Sequence, residues 1–366
     1  MSFLRRQESS PQKNMIKEAL LKVVERENLE RSEMEAVMRE IMDGEVSHVL
    51  IASFITALRM KGETIDEITG AAKVMRQKAT RIPLKSHPVT IDRDDINFDL
   101  ETIIDTCGTG GDGTSTFNIS TTCAFVAAGA GVKVAKHGNR AVSSCCGSAD
   151  VLSELGINIE LSPEAVGRCI DELGIGFLFA PLLHSAMKHA GVARKEIGIR
   201  TIFNLLGPIS NPAGATAQVV GVYAAHLTDK IAHALLNLGT KKALVVHGMD
   251  GLDEITVTRE TRVSEVKESA VHTYFLDPRD YGIALASAAD LSGGNARQNA
   301  KITRGILEGQ KGPKRDIVVL NTAAALYVGG KAASLKEGCE QAEKSIDSGA
   351  ALKKLEKLAE YSGKLK

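Results

Sequence analysis

Hydrophobic side chains return every three or four residues through roughly the first 80 positions, which is the spacing of amphipathic helices. The first helix is marked by the apolar residues Ile16, Ala19, Leu20, Val23 and Val24. Three further helix starts are indicated by capping residues, namely Ser32 with Glu35, Ser47 before 49–59, and Thr64 with Glu67. The second helix is expected to end near Gly44 and the fourth near Lys78. Four short helices with short connections predict a small bundle, in which each helix buries one apolar face.

The helical pattern stops between residues 83 and 99, where Pro, Asp, Arg and Lys replace it, and we expect a domain boundary there. Short apolar runs then alternate with helical stretches, which is the order of βαβ units. Strands are predicted over 100–106, 132–135, 175–179, 217–223 and 243–247, and helices over 120–130 and 163–173. This order favours a mostly parallel sheet covered by helices.

The predicted fold class is therefore α/β, with a small N-terminal helical bundle and a large α/β domain whose mostly parallel central sheet is flanked by helices. Residues 184–206 are helical and interrupt the strand–helix rhythm, so we expect them to pack back on the bundle. The expected division is an extension over 1–13, a helical domain over 14–85 with 184–206, and an α/β domain over 98–183 and 207–366.

Charge and composition narrow the function. The 366 residues contain 45 Lys and Arg against 45 Asp and Glu, which argues against a nucleic-acid or membrane-surface partner, because such binders carry excess basic charge. No segment approaches the roughly 20 apolar residues of a membrane span, and residues 1–13 lack the apolar core of a secretion signal. We expect a cytoplasmic protein whose six cysteines are reduced thiols.

A glycine-rich loop follows the first predicted strand. Gly108, Gly110, Gly111 and Gly113 let the backbone approach a ligand and direct its N–H groups at an anion, with the next helix N-terminus behind them. We interpret the loop as a phosphate cradle, with a structural tight turn as the alternative. A dinucleotide site is disfavoured, because the next strand ends in Lys136-His137 and not in an acidic residue. No Gly-Lys-Ser/Thr follows, so the loop is not a P-loop.

Two more polar segments follow predicted strands. Residues 136–144 contain two cations, an imidazole, an amide and two hydroxyls, a mixture that suits a phosphorylated sugar, with a solvated basic turn as the alternative. Asp253 and Glu254 follow a later strand, and two adjacent carboxylates beside phosphate are what Mg²⁺ prefers, with an ordinary solvated pair as the alternative. Zinc is disfavoured, because His184 and His189 are five residues apart and no cysteine completes a ligand set.

In this order and spacing, these motifs closely resemble the anthranilate phosphoribosyltransferase family of tryptophan biosynthesis, one of the nucleoside phosphorylase-like phosphoribosyltransferases. Segments 57–64 and 200–208 add to the resemblance, which spans roughly residues 14–345. It implies a homodimer associating through the helical domain. It also implies transfer of the phosphoribosyl group from 5-phosphoribosyl 1-pyrophosphate to the amine of anthranilate, with release of pyrophosphate and with Mg²⁺, two ions being expected.

The resemblance also implies roles for residues at matching positions. Those expected to hold phosphoribosyl pyrophosphate are Gly108, Gly111, Asp112, Thr116, Asn118, Ile119, Ser120, Thr121, Lys136, His137, Gly138, Asn139, Arg140, Ser143, Ser144 and Ser148. Those expected to receive anthranilate are Gly108, Asn139, His184 and Arg194, and the expected metal ligands are Ser120, Asp253 and Glu254. The expected catalytic residues are Lys136, Asn139, Asp253 and Glu254. Ser185 and Ala193 depart from the family pattern and could alter the channel for the aromatic substrate.

The expected chemistry is a magnesium-assisted dissociative displacement. Negative charge builds on the departing pyrophosphate, and the amine of anthranilate is already neutral at pH 7, so we hypothesise that no dedicated strong base is needed. Two rivals remain, a pyrimidine nucleoside phosphorylase and a non-catalytic relative that binds nucleic acid. The balanced charge and the Asp253-Glu254 pair disfavour the second.

Overall fold

The computed structural model describes residues 15–85, 102–111, 113, 115–141 and 146–365. The predicted extension 1–13 and most of the predicted boundary at 83–99 lie outside the described residues, as do Asp112, Ser143 and Ser144. Within the described ranges, no helix is both long and apolar enough to cross a membrane.

Four helices form the N-terminal bundle: α1 (Met15–Val24), α2 (Arg31–Met42), α3 (His48–Lys61) and α4 (Ile65–Lys78). The caps predicted at Ser47 and Thr64 are confirmed, the second with its capping box to Glu67. Glu67 is buried and also holds the chain before α2, because it accepts hydrogen bonds from Leu29 N and from the buried Lys61 ammonium at 2.9 and 3.0 Å.

The capping box predicted for Ser32 and Glu35 is wrong. The N-cap is Glu30, two residues earlier than predicted, and the Glu33 carboxylate accepts a hydrogen bond from Glu30 N at 2.9 Å. Glu35 faces the other way, toward Lys73 Nζ at 2.8 Å. The predicted capping box does not form because Glu35 is ion-paired with Lys73, a residue 38 positions away in the sequence.

Seven strands form one sheet in the order β3-β2-β1-β4-β5-β6-β7. The strands are β1 (Ile103–Gly108), β2 (Lys133–Gly138), β3 (Ile175–Phe179), β4 (Ala217–Gly221), β5 (Lys242–Gly248), β6 (Thr261–Lys267) and β7 (Ala270–Leu276). Strands β1 to β5 pair in parallel, whereas β6 and β7 add an antiparallel hairpin that the sequence analysis did not predict. The prediction of a mostly parallel sheet is confirmed.

The remaining α-helices pack on the sheet, on one another or, for α9 and α10, on the bundle. They are α5 (Ile119–Gly129), α6 (Ser148–Glu154), α7 (Pro163–Leu173), α8 (Ala180–Leu183), α9 (Lys188–Ile197), α10 (Ile202–Leu206), α11 (Leu227–Asn237), α12 (Ala296–Leu307), α13 (Pro313–Val328), α14 (Leu335–Asp347) and α15 (Ala350–Lys364). The helical stretch expected over 184–206 is broken at Gly198, whose left-handed φ of 63° ends α9. Ala190 and Ala193 of α9 are buried in the same apolar core as the bundle.

Two apolar cores lie on opposite faces of the sheet. Val219 and Leu244 belong to the core shared with α5 and α13, while their neighbours Val220 and Val245 belong to the core shared with the bundle, α10 and α11. This alternation is the period of a strand, whose successive side chains point to opposite faces. The bundle therefore lies on the face of the sheet that carries Val220 and Val245, and packs on it through α10 and α11, both of which contact α4.

The strand order also fixes where a ligand can enter. Chain connections run one way from β1 to β2 and β3, and the other way from β4 to β5. The carboxyl ends of β1 and β4 therefore border the crevice at which open α/β sheets bind ligands.

Candidate active site

Two glycines meet at the end of this crevice and make room for a carboxylate. Gly108 of β1 and Gly221 of β4 are register partners, and Asp253 lies across both. A β-carbon built on Gly221 would lie 1.5 Å from the Asp253 carbonyl oxygen, and one on Gly108 would lie 2.3 Å from Asp253 Oδ2. These positions therefore require glycine, because the loop after β5 rests directly on the strand ends.

The glycine loop beyond β1 has a conformation that favours glycine. Gly110, Gly111 and Gly113 have φ values of 64°, 69° and 80°, in the left-handed region. The Gly110 N–H donates to Asp253 Oδ2 at 2.7 Å. One of the N–H groups expected to face a phosphate is thus engaged by the metal-ligand candidate, which ties the loop to the carboxylate pair.

Glu254, Ser120 and Lys136 form the centre of the site. The Ser120 N–H, at the N-terminus of α5, donates to Glu254 Oε1 at 3.1 Å. Lys136 Nζ donates to the Thr106 carbonyl and to Ser120 Oγ, the latter at 3.3 Å, and its side chain is buried. A buried ammonium beside a carboxylate and a helix N-terminus is suited to stabilising negative charge on a ligand.

A buried carboxylate that lies next to Lys136 and His137 was not predicted from the sequence. Asp105 on β1 accepts hydrogen bonds from His137 N at 3.1 Å and from Asn211 Nδ2 at 2.7 Å. Burial raises the pKa of Asp105, against the lowering effect of Lys136. Asn211 also donates to the Ala135 carbonyl at 2.9 Å, so it joins β1 to β2. The sequence feature that could have indicated this residue is an aspartate within an otherwise mainly apolar strand, because a buried carboxylate needs hydrogen-bond partners.

His137 and His184 are buried side by side, with ring centroids 5.1 Å apart and ring planes tilted by 52°. His137 Nδ1 lies 3.2 Å from the Gly207 carbonyl oxygen, and among the described residues neither Nε2 atom has a hydrogen-bond partner. Burial lowers the pKa of His137 to about 3 and that of His184 to about 4. Both imidazoles are therefore neutral at physiological pH.

This neutrality predicts a pH-dependent stability. In the unfolded chain each imidazole titrates near 6.5, whereas in the fold it stays neutral down to about 4 or below, so the unfolded state binds more protons as the pH falls. Between pH 6.5 and 5 the free energy of unfolding should drop by about 2 kcal/mol for each imidazole. Urea unfolding over this range measures the slope. A His184→Asn variant should show a shallower slope, and equal slopes would contradict the assignment.

The segment after β2 is anchored by its own backbone and by α6. Ser148 Oγ donates to the Asn139 carbonyl at 3.3 Å, while Asn139 itself is exposed at the crevice. Arg140, expected to hold substrate, is paired with Asp150 at 3.1 Å. A β-carbon on Gly138 would lie 2.1 Å from Ser148 Oγ, so this glycine allows α6 to approach β2.

The residues leading into α5 have structural contacts. Asn118 donates to the Cys146 carbonyl at 3.2 Å and accepts from Asn299 Nδ2 at 2.9 Å, so both ends of its amide are engaged. Ile119 and Thr121 are buried, and Thr116 forms an isolated bridge with Ser292. Sequence reasoning missed Asn299, which lies 181 positions from Asn118.

Arg194, expected to bind the carboxylate of anthranilate, lies on α9 with its guanidinium 5.3 Å from the centroid of the Phe203 ring. Burial lowers the pKa of Arg194 from its ordinary value. Among the described residues no carboxylate forms an ion pair with it, which leaves its charge available to a ligand. The contacts described for Arg194 do not join it to Lys136 or Asn139.

The donor set fits a hard divalent cation. Asp253, Glu254 and Ser120 offer carboxylate and hydroxyl oxygens, the atoms that Mg²⁺ prefers. In the part of the chain that the structure describes, no three His, Cys, Asp or Glu side chains are grouped as a metal site. Two carboxylates are enough only if phosphate oxygens complete the coordination, so the site is suited to a metal that arrives with a phosphorylated ligand.

The carboxylate pair is supported from behind by α13. Asn321 accepts a hydrogen bond from Ile255 N at 2.9 Å and donates to the Ile255 carbonyl at 2.7 Å. Because Ile255 directly follows Glu254, this buried amide fixes the backbone that carries both acids. The sequence feature that could have indicated this role is an asparagine within an apolar helical run, because a buried amide needs hydrogen-bond partners.

Family models match almost the whole described chain. Residues 17–79 match the helical bundle domain of the glycosyl transferase family, and residues 100–352 match the a/b domain of the same family.

Curated relatives and solved structures agree with one another. The chain is 60% identical over 344 residues to an anthranilate phosphoribosyltransferase of Geotalea daltonii, covering 94% of this chain and 98% of the relative. The Geobacter sulfurreducens relative of the same name is 59% identical over the same shares of both chains. The crystal structure of anthranilate phosphoribosyltransferase from Thermus thermophilus has a TM-score of 0.86 at 43% identity, covering 94% of this chain and 99% of that one.

A more distant structure was determined with ligands. The Saccharomyces cerevisiae enzyme, in complex with PRPP and Mg, has a TM-score of 0.85 at 28% identity, covering 96% of this chain and 99% of that one. The same yeast enzyme in complex with 4-fluoroanthranilate has a TM-score of 0.82 at 27% identity, covering 96% and 98% of the two chains.

Proposed function

The chain belongs to the anthranilate phosphoribosyltransferase family, and we propose that the crevice between β1 and β4 is where it transfers the phosphoribosyl group of 5-phosphoribosyl 1-pyrophosphate to the amine of anthranilate. Pyrophosphate is the second product, and the reaction is the second step from chorismate to tryptophan. The observation that carries this placement is the cluster of Lys136, Ser120 and Glu254 beside a glycine loop tethered to Asp253.

Each part of the substrate is assigned to a part of the crevice. The glycine loop, the N-terminus of α5 and Lys136 bind the pyrophosphate and ribose, together with the segment 138–148 after β2. The region around His137 and His184 receives the aromatic ring of anthranilate, since both imidazoles there are neutral. Arg194 binds the carboxylate, for which a guanidinium supplies two parallel donors.

Asp253, Glu254 and Ser120 would hold Mg²⁺, and we extend the proposal to two ions. When bound, Mg²⁺ supplies positive charge to the oxygens of the departing pyrophosphate. The protein's own contribution is fixed in advance. Lys136 is held by the Thr106 carbonyl and by Ser120, so no reorganisation is needed as negative charge develops on the leaving group.

Anthranilate requires orientation more than deprotonation, because its amine is neutral at pH 7. Neither His137 nor His184 has to act as a strong base, since burial keeps both pKa values far below neutrality. Positioning by Arg194 and the two imidazoles directs the amine nitrogen at the anomeric carbon.

A substitution tests this role for the histidines. His184→Ala or His137→Ala should lower kcat by no more than about 10-fold, below the range of general-base catalysis. The kcat of the wild type should show no inflection between pH 6 and 8 from these groups, because their pKa values of about 3 and about 4 lie below that range. Abolition of turnover in either variant, with both substrates still bound, would contradict the absence of a base.

We also propose a homodimer formed through the helical domain. Helices α1 and α3 pack side by side and expose large apolar side chains, among them Leu21 at 72%, Val49 at 75% and Met60 at 71% of full exposure. An unpartnered apolar surface of this kind is typical of a subunit interface.

The dimer proposal predicts the effect of one buried charge. Val49→Glu should weaken dimerisation by about 30-fold or more, because the interface would desolvate an unpaired carboxylate. Light scattering after size-exclusion chromatography measures the mass against concentration. Leu285→Glu is the matched control, since Leu285 is also exposed but lies in the α/β domain. Equal masses for both variants at every concentration would contradict this interface.

Product analysis separates the proposed reaction from its nearest rival. The protein with Mg²⁺ and phosphoribosyl pyrophosphate is incubated with anthranilate, uracil or thymine, and separately thymidine is incubated with phosphate. We expect pyrophosphate release with anthranilate alone and no phosphorolysis of thymidine. Phosphorolysis of thymidine would favour the pyrimidine nucleoside phosphorylase, whereas a nucleotide product from a pyrimidine would mean phosphoribosyl transfer to a different acceptor.

A further inference from the structure

An exposed arginine outside the predicted site reaches the glycine loop from the helical side. Arg200 lies in the link between α9 and α10, two residues after Gly198. A β-carbon built on Gly111 would lie 3.4 Å from both Nε and Nη2 of Arg200. The guanidinium therefore lies beside the loop, at van der Waals distance from the point where a side chain on Gly111 would begin.

The guanidinium is held in this position by an aromatic platform. Its central carbon lies 4.4 Å from the centroid of the Tyr223 ring, a stacking distance for a cation on an aromatic face. The Tyr223 N–H donates to Thr109 Oγ1 at 3.1 Å, and the Thr109 N–H donates to the Gly221 carbonyl at 2.9 Å. The platform and the glycine loop are thus bonded to each other, and burial raises the pKa of the Tyr223 phenol, which stays neutral.

The base of the arginine is fixed as well. Thr201, the next residue, is buried and precedes α10, and its N–H donates to Asn204 Oδ1 at 3.0 Å. The apolar residues Ile202 and Phe203 then enter the core shared with the bundle. The side chain therefore extends from a rigid element of the helical side across to the loop of the α/β domain.

The charge of Arg200 is not neutralised by an ion pair within the described part of the chain. Among the described residues no carboxylate pairs with Arg200, whereas Arg140 is paired with Asp150, and Lys136 is engaged with Thr106 and Ser120. A planar guanidinium without an acidic partner, lying beside a phosphate-binding loop, can form two parallel hydrogen bonds to one phosphate group.

We propose that Arg200 is a substrate-binding residue that grips the pyrophosphate end of phosphoribosyl pyrophosphate. The proposal rests on the function proposed above and adds to it a cation supplied by the α9–α10 link. It predicts selectivity among anions. Arg200 should matter for ligands that carry the pyrophosphate group and should be indifferent to ribose 5-phosphate, which lacks it.

The test compares two inhibitors on one set of variants. In Arg200→Gln the KM for phosphoribosyl pyrophosphate and the inhibition constant of inorganic pyrophosphate should each rise about 10-fold or more at fixed Mg²⁺, while inhibition by ribose 5-phosphate stays within about 2-fold. Arg200→Lys should recover only part of the affinity, because an ammonium lacks the planar fork. Tyr223→Leu, which removes the platform but keeps the charge, should give an intermediate rise.

Arg168→Gln is the matched control, an exposed arginine on α7. An unchanged pyrophosphate constant in Arg200→Gln would overturn the proposal, as would an equal weakening of pyrophosphate and ribose 5-phosphate. These results are distinct from failure of the function itself, in which the wild type would bind neither phosphoribosyl pyrophosphate nor pyrophosphate.

Discussion

The double variant Asp253→Asn/Glu254→Gln should lose about 10³-fold or more in kcat while keeping the wild-type fold. Asp253 Oδ2 accepts the Gly110 N–H and Glu254 Oε1 accepts the Ser120 N–H. The amide oxygen that replaces each carboxylate in the variant can accept the same N–H, so the glycine loop and the start of α5 remain tethered. The two negative charges that would hold Mg²⁺ are lost.

Metal dependence distinguishes this loss from a general defect. The residual rate of the double variant should respond little to added Mg²⁺, and Mn²⁺ binding followed by electron paramagnetic resonance in the presence of phosphoribosyl pyrophosphate should be much weaker. Asp280→Asn/Glu308→Gln is the control, because it removes two exposed acids elsewhere. If the Asp253→Asn/Glu254→Gln variant stayed within about 10-fold of the wild type, these acids would not be the metal ligands.

Gly221→Ala should abolish most activity, although Gly221 is not itself one of the residues expected to contact substrate. The added β-carbon would lie 1.5 Å from the Asp253 carbonyl oxygen, so the loop after β5 has to move away from the strand ends. A displacement of about 1 Å in a catalytic group is enough to cost about 10²-fold in rate, and this one is larger. We expect a fall of at least about 10²-fold in kcat and a higher Mg²⁺ requirement.

Two further glycine variants make this result interpretable. Gly108→Ala conflicts mainly with the Asp253 side chain, at 2.3 Å from Oδ2, and comes only within 3.3 Å of its carbonyl oxygen, so it tests the same crowding if Gly221→Ala does not fold. Gly191→Ala is the control, because no heavy atom lies within 4 Å of its added carbon. Wild-type kinetics in both Gly108→Ala and Gly221→Ala would show that the loop rests elsewhere in the working enzyme.

Much of the fold could be predicted from the local pattern of apolar and polar residues. The elements that were predicted wrongly or missed have physical causes. The strand predicted to end at Ala135 continues to Gly138, because Lys136 and His137 are polar residues that are nevertheless buried in the sheet. Apolar periodicity cannot mark such positions. Strands β6 and β7 were missed because charged residues of β6 and polar residues of β7 interrupt their apolar ones. The hairpin is also turned by Glu268 and Ser269, both at positive φ, without a glycine that would mark a turn.

The site was predictable where its residues follow strand ends along the chain. The grouping of Lys136 with the loop that carries Asp253 and Glu254 was predicted in this way, since parallel strands bring their carboxyl ends to one edge. Asn321 and Arg200 could not be predicted in this way, because the residues that they contact are distant in the sequence. Asn321, for example, lies 66 positions from Ile255. Only the packed fold shows that α13 and the α9–α10 link support the crevice.

The most direct test of the account is the fluorescence of anthranilate followed over time with the purified protein, Mg²⁺ and phosphoribosyl pyrophosphate, beside a sample containing EDTA. The account predicts loss of the anthranilate signal in the Mg²⁺ sample alone, with one pyrophosphate released for each anthranilate consumed. An unchanged signal, with phosphoribosyl pyrophosphate bound to the protein, would contradict anthranilate as the acceptor and leave only the sugar-phosphate site.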